Sequence, residues 1–214
     1  MNQFSLPATV SAGYPPWESA FTLDALRRAW LMVRKNKGRS GSDGETLAQF
    51  ERHLESNLSQ LRGELLSGQY RPHKVTQILV PKPSGQWRPL TLWTVRDKVA
   101  QRAVTAYLEP VFEQRFLDCS YGYRPGRSPR DAAAAIQAAR SVGAEWVLDA
   151  DIQDCFGNMD NRLVLRALAR WRTPRPLQRL VHQWLRAEVW NAWGGSEAQA
   201  GTSQGGVISP LLCN

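Results

Sequence analysis

The sequence predicts an α+β fold, and three observations carry that prediction. Apolar residues recur at helical spacing over several stretches that open at capping residues. Short apolar runs bounded by turn residues, at 75–92 and 147–152, read as strands. The two kinds of element do not alternate regularly, which argues against a doubly wound parallel sheet.

Residues 1–20 contain Pro and Ser with little periodicity and read as an extended arm. Thr22 is a candidate N-cap, Leu23, Leu26, Trp30 and Val33 follow at helical spacing, and Gly38 is the expected stop. "NKGRSGSDG" (36–44) is a loop. Leu47, Phe50, Leu54, Leu58, Leu61 and Leu65 form one stripe of a second helix that ends at Gly68. "VTQILVPKPSGQWRPLTL" (75–92) predicts two strands around a turn at Pro83-Ser84-Gly85. A long helix is expected from about Val95 to Phe116. After the loop "YGYRPGRSP" (121–129), Ser128 and Pro129 suit the N-cap and first turn of an Ala-rich helix. "VLDADIQDCF" (147–156) reads as a buried strand. Helices near 160–171 and 174–187 follow, the latter capped by Thr173, and Trp190 to Ala200 suits a hairpin turning at Gly194-Gly195.

The 214 residues carry a net charge of +8 and a pI of about 9.9, with Arg the main cation. Charge alone suits a phosphate-bearing partner or a solvated basic surface equally. No apolar run approaches the roughly 20 residues of a membrane-spanning helix, and no secretory signal opens the chain. Most of the nine Trp sit at helix-like spacing and suit a core or interface better than base stacking. Cys119, Cys155 and Cys213 are dispersed, as are His53, His73 and His182, which gives no disulfide framework and argues against a structural zinc site. A reducing cytoplasm is the expected compartment.

Asp149 and Asp151 stand two apart, so a strand would point both carboxylates to one face. Near a strand end, such a carboxylate suits Mg²⁺, which takes one or two carboxylates together with substrate phosphates. Pairing with Arg or capping a helix remains the structural alternative. Lys82 and Arg88 flank the tight turn of the first hairpin, where two cations suit triphosphate oxygens or a solvated tip. "GTSQGG" supplies backbone that a base pair can approach closely, with the Gln204 amide able to bond sugar or base edges.

Taken in order, these stretches resemble the reverse transcriptases of the group II intron-like lineage, whether intron-encoded, CRISPR-associated or other free-standing bacterial members. "NKGRSGSDGETL" resembles the early fingers motif, and "YRPHKVTQILVPKPSGQWRPLTLWTVRDKVAQRAV" the basic fingers hairpin leading into a long helix. "LEPVFEQRFLDCSYGYRPGRSPRDA", "VLDADIQDCFGNMD" and "GTSQGGVISPLLCN" are similar to the palm motifs. The likeness spans about residues 22–214.

The resemblance implies a right-hand polymerase: fingers and an incomplete palm with a small antiparallel sheet, the thumb absent. It divides the chain into an arm (1–20), fingers (21–93), palm (94–159), further fingers (160–200) and the start of the Gly-rich palm motif (201–214). Asp151 is the implied catalytic, metal-binding aspartate and the Ile152 carbonyl the second ligand, for Mg²⁺ or Mn²⁺. Phe156 is the implied steric gate, which favours dNTP and speaks against an RNA-templated RNA polymerase. Lys82, Arg88, Gln204 and Gly205 are implied nucleotide contacts, with backbone amides at Asp154 and Cys155. Arg124, Arg127 and Gly206 are implied template or primer contacts, although Arg124 and Arg127 equally suit a buttress of the palm. The implied partners are an RNA template, a DNA or RNA primer and dNTP, without a membrane.

Cys155 and Gly157 stand where intron relatives more often carry Phe and Asp, and Ser203 where Pro is common. No Tyr-x-Asp-Asp occurs before Asn214, and two-metal transfer needs carboxylates on both sides of the metal pair. The chain is therefore expected to be the N-terminal portion of an RNA-directed DNA polymerase, inactive alone. It would pair with a missing C-terminal portion or self-associate. A non-catalytic RNA-binding or interaction module derived from such an enzyme is the alternative. The departures at Cys155, Gly157 and Ser203 speak against close membership of the intron-maturase branch, while intron mobility, CRISPR adaptation, phage defence and template-directed mutagenesis all use relatives with these motifs.

Overall fold

The structure is a computed structural model, described here for residues 13–81, 85–190, 196–198 and 205–214. Tyr14 stacks on Tyr107 with ring centroids 6.1 Å apart. A 3-10 helix, Trp17–Phe21, then places Phe21 fully in the core. The expected extended arm is therefore helical at its end, because Pro16 presents its carbonyl to the Ser19 amide and Phe21 has a core to enter. Helix α1 (Leu23–Lys35) opens at Thr22, whose side chain accepts the Ala25 amide, and buries Leu26, Ala29, Trp30 and Val33. Its chain reversal falls on Lys37, at φ 48°, one residue before the expected Gly38.

The second helical stripe is two helices, α2 (Leu47–Arg52) and α3 (Leu54–Ser67), broken at His53. The Asn57 side-chain amide donates to the Phe50 carbonyl, competing with the helical ladder at the break. The apolar stripe nonetheless survives the kink, with Phe50, Leu58, Leu61 and Leu65 all buried.

Strands β1 (Val75–Pro81) and β2 (Trp87–Leu92) pair antiparallel, Thr76 opposite Leu92 and Pro81 opposite Trp87. Pro83 and Ser84 of the expected turn lie outside the described residues. Helix α4 (Val95–Glu113) is the longest element and is buried along most of its length, including the polar residues Asp97, Gln101 and Thr105. It ends three residues before the predicted Phe116. Helix α5 (Pro129–Ser141) is capped as predicted, with Ser128 and Asp131 forming a reciprocal box, yet none of its residues is buried.

Helices α6 (Asn161–Arg170) and α7 (Arg175–Leu185) pack together. Thr173 does not cap α7: its hydroxyl bonds the Tyr14 hydroxyl at 3.1 Å, and Pro174 takes the cap position. Strands β3 (Glu188–Trp190) and β4 (Ser196–Ala198) form the predicted hairpin, its expected Gly194-Gly195 turn outside the described residues. Strand β3 also pairs parallel with β1, Val75 opposite Val189, giving a mixed sheet in the order β2-β1-β3-β4. The expected antiparallel sheet is thus mixed, and it belongs to the first hairpin. Helix α8 (Ser209–Cys213) closes the chain.

The stretch 147–152 is not a strand. It runs without a ladder among the described residues, with Trp146 95%, Leu148 92% and Ile152 71% exposed. A strand is stable only when its amides and carbonyls find a neighbour. The four-stranded sheet is built from other segments, so this one stays uncovered, and Asp149 and Asp151 face solvent.

Candidate functional site

The loop 36–44 docks on the start of α4. A Cβ on Gly41 would lie 2.4 Å from the Thr94 amide nitrogen, so only glycine permits the approach. Lys98 of α4 donates to the Arg39 carbonyl at 2.6 Å across the same contact. From there β2 carries the basic hairpin. Arg88 lies opposite Val80, exposed, with no ion pair among the described residues. Lys82 and Gln204 lie outside the described residues.

The Gly-rich motif touches both the first hairpin and the core helix α4. Gly205, at φ +123°, backs onto Thr91 of β2, and Gly206 is buried. The next two amides, Val207 and Ile208, donate to the Gln101 side-chain oxygen at 2.8 and 3.4 Å. Only Pro89 and Leu90 separate Thr91 from Arg88 on β2, so the glycine turn and the basic strand are mechanically joined.

The aspartate motif meets the same region from another side. The sulfurs of Cys155 and Cys213 are 3.3 Å apart, which sets the residue beside Phe156 against α8. Asp154 adopts φ +44°, uncommon for a non-glycine residue, and its carboxylate accepts the Gly157 amide. Phe156 is half-buried. Asp151 is exposed and, among the described residues, makes neither ion pair nor hydrogen bond. No group of three His, Cys, Asp or Glu converges among the described residues. One disengaged carboxylate and the neighbouring Ile152 carbonyl are hard oxygen donors that fit part of a Mg²⁺ shell, the rest being water and phosphate.

Arg124 is held on several sides. Its guanidinium is buried, pairs with Glu113 at 2.6 Å and donates to the Leu117 and Ser120 carbonyls at 2.6 and 2.8 Å. Those bonds fix the 114–124 turn, which suits the buttress role expected for this residue beside a template contact. Arg127 is more open, bonding Asp118 and lying 5.4 Å over the Tyr121 ring.

Two groups escaped the sequence reading. Asp97, fully buried, accepts from the Tyr70 hydroxyl at 2.7 Å, the Thr94 hydroxyl at 2.8 Å and the His73 amide at 3.0 Å. Burial and the Asp97 charge push the Tyr70 phenol well above its usual range, which keeps it a donor, while the Trp184 indole donates to it at 2.9 Å. Thr94-x-x-Asp97 was the available signal, since it has capping-box spacing. Gln101, one turn further along α4, gave no signal beyond a polar residue in an apolar stretch.

No helix among the described residues is long and apolar enough to cross a membrane. The family model described as reverse transcriptase (RNA-dependent DNA polymerase) matches residues 80–214. Protein YkfC of Escherichia coli (strain K12) is 34% identical over 178 residues, covering 81% of this chain and 47% of that protein. The group II intron-encoded protein LtrA of Lactococcus lactis subsp. cremoris is 32% identical over 189 residues, covering 87% of this chain and 31% of that protein. The chain therefore spans less than half the length of these relatives. A partial Cas6-RT-Cas1–Cas2 complex contains a chain that superposes with a TM-score of 0.60 at 24% identity. That superposition covers 91% of this chain and 32% of the other, and it supports the α+β fingers and palm fold. With the family model and the relatives in agreement, the chain belongs to the reverse transcriptase (RNA-dependent DNA polymerase) family, in its group II intron-like lineage.

Proposed function

We propose that this chain is the nucleotide- and template-facing portion, fingers and opening palm, of an RNA-directed DNA polymerase of the bacterial cytoplasm. The observation that supports it best is the Gly-rich turn, which contacts the basic strand through Gly205 and leads into the helix that meets the aspartate motif through Cys213. Asp151 and the Ile152 carbonyl would hold Mg²⁺, which when bound stabilises charge on the transferring phosphoryl group. Arg88 and Lys82 bind the triphosphate, the backbone at Asp154 and Cys155 adds donors, and Gln204 with Gly205 and Gly206 meets the nascent base pair. The Phe156 ring lies under the sugar and excludes a 2′-hydroxyl. The 214 residues contain no Tyr-x-Asp-Asp, so complete phosphoryl transfer is proposed for the polymerase as a whole and binding for this chain.

The test is dTTP binding to this chain in the presence of an oligo(dT)-primed poly(rA) template, with and without Mg²⁺. Binding tightened by Mg²⁺ and lost from that dependence in Asp151→Asn supports the reading. Salt-sensitive RNA binding indifferent to Mg²⁺, dTTP and Asp151 would instead identify a non-catalytic RNA-binding module.

A further inference from the structure

The Gln101 side chain is fully buried, on the helix at the centre of the fold, and 106 residues from the backbone it bonds. Its oxygen accepts two successive amides, Val207 at 2.8 Å and Ile208 at 3.4 Å. The orientation of the amide is fixed by chemistry: the reverse flip would set an NH₂ group against two N–H donors. Both amides lie at the mouth of α8, where the Gly206 carbonyl accepts the Ser209 amide in the turn. On its other side the same turn is pressed against Thr91. Gln101 also lines a small cavity together with Gly206, Ile208 and Trp184.

We infer that Gln101 is a positioning residue for the nucleotide site. It acts as a buried two-amide acceptor that holds the Gly205–Ile208 turn between α4 and β2, and so sets where the glycine backbone meets the incoming base pair. A buried glutamine used only for packing has no need to accept from two consecutive main-chain amides that, among the described residues, lack a backbone partner. The glycines make the clamp necessary: a turn with two glycines has little intrinsic preference for one shape, so an external acceptor must choose it. The inference rests on the nucleotide-binding role proposed above.

The experiment compares the unsubstituted chain with Gln101→Met, of similar length but without an acceptor, and Gln101→Glu, which keeps one. In the unsubstituted chain the Val207 and Ile208 amides exchange slowly with deuterium, although neither belongs to a sheet or to a helical ladder. Their exchange accelerates about tenfold in Gln101→Met, and dTTP affinity on the primed template falls about tenfold. Binding of RNA alone is unchanged, and Gln101→Glu restores protection. Fast exchange of both amides in the unsubstituted chain overturns the clamp whatever the variants do, including a Met variant that fails to fold. Lost protection in Gln101→Met with dTTP affinity intact overturns the positioning role. Absence of dTTP binding by the unsubstituted chain is a distinct result: it overturns the proposed function and the positioning role with it, while the exchange data still report on the clamp.

Discussion

Gly205 lies against Thr91 so closely that a Cβ built on it would stand 2.4 Å from the Thr91 carbonyl oxygen. Its φ of +123° is also a conformation that side-chain-bearing residues rarely adopt. Space and backbone therefore exclude any other residue for independent reasons. Gly205→Ala is expected to cost about 2 kcal/mol, lowering Tm by about 4–8 °C. Exchange protection at Val207 should fall in the same variant, because the turn must leave β2. A Tm and an exchange pattern matching the unsubstituted chain would show that the turn does not pack on Thr91.

Asp97 has a different importance, since it satisfies donors from three segments at once. The Tyr70 hydroxyl, the Thr94 hydroxyl and the His73 amide all converge on it, with Arg96 at 3.4 Å. Asp97→Ala would strand those donors and leave the Arg96 guanidinium to its pairing with Glu64 alone. A loss of about 3–5 kcal/mol follows, read as a fall in Tm of about 6–20 °C. A drop under 3 °C in a thermal melt would contradict the hub.

His73 gives this hub a pH signature. Its imidazole is 3.7 Å from Asp97, whose hydrogen bond and charge raise the ring's pKa against an opposing desolvation. A raised folded-state value means stability fully present below the unfolded value near 6.5 and lost as pH rises through the higher folded value. The ring is 49% exposed, so solvent screening limits the effect to about a few tenths of a kcal/mol. Urea melts across pH 6 to 8 should show a small decline that His73→Gln abolishes. A stability that increases over that window would reverse the sign and refute the pairing.

Elements whose signals are local were legible in the residues. Thr22, Ser128 and the apolar stripes fixed α1, α5 and the α2–α3 region, and the strand pattern of 75–92 located the hairpin to its ends. What failed depends on partners distant in sequence. Val147 to Ile152 has the composition of a strand, but composition does not supply a neighbour to pair with. Thr173 has the side chain of a cap, but Tyr14, 159 residues away, captures its hydroxyl. At the candidate site the motif residues could be named from sequence, whereas the Gln101 contact with the Gly-rich turn and the Asp97 hub at the start of α4 could not. Both act through bonds to segments 24 or more positions away.

Arg124 and Arg127 look alike in "YRPGR" but differ in the fold. Arg124 is enclosed by Glu113 and two carbonyls, whereas Arg127 keeps an open face. Arg124→Ala is expected to destabilise by about 2–4 kcal/mol and to leave the salt dependence of RNA binding unchanged. Arg127→Ala should shift Tm little and reduce the slope of log K against log salt by about one. Thermal melts beside a salt titration separate the two roles, and a changed slope in Arg124→Ala would assign it to the template after all.

The 3.3 Å approach of Cys155 and Cys213 is directly testable, because two thiols that near can be converted to a disulfide. Burial and the bond to Cys155 push the Cys213 thiol up to about 11, so its thiolate is scarce at neutral pH and cross-linking should accelerate as pH rises. With hydrogen peroxide as oxidant, two thiols lose two hydrogens, the peroxide becomes two waters, and the sulfurs join. Peptide mapping should find residues 155 and 213 linked, and Cys155→Ser should abolish the product. Such a bond would tie the aspartate motif to α8 and, through the turn before it, to Gln101. Nucleotide affinity measured before and after reduction would then tell whether the two motifs must move apart to bind. Cross-links that run mainly through Cys119 would instead mean that the aspartate motif does not rest on α8.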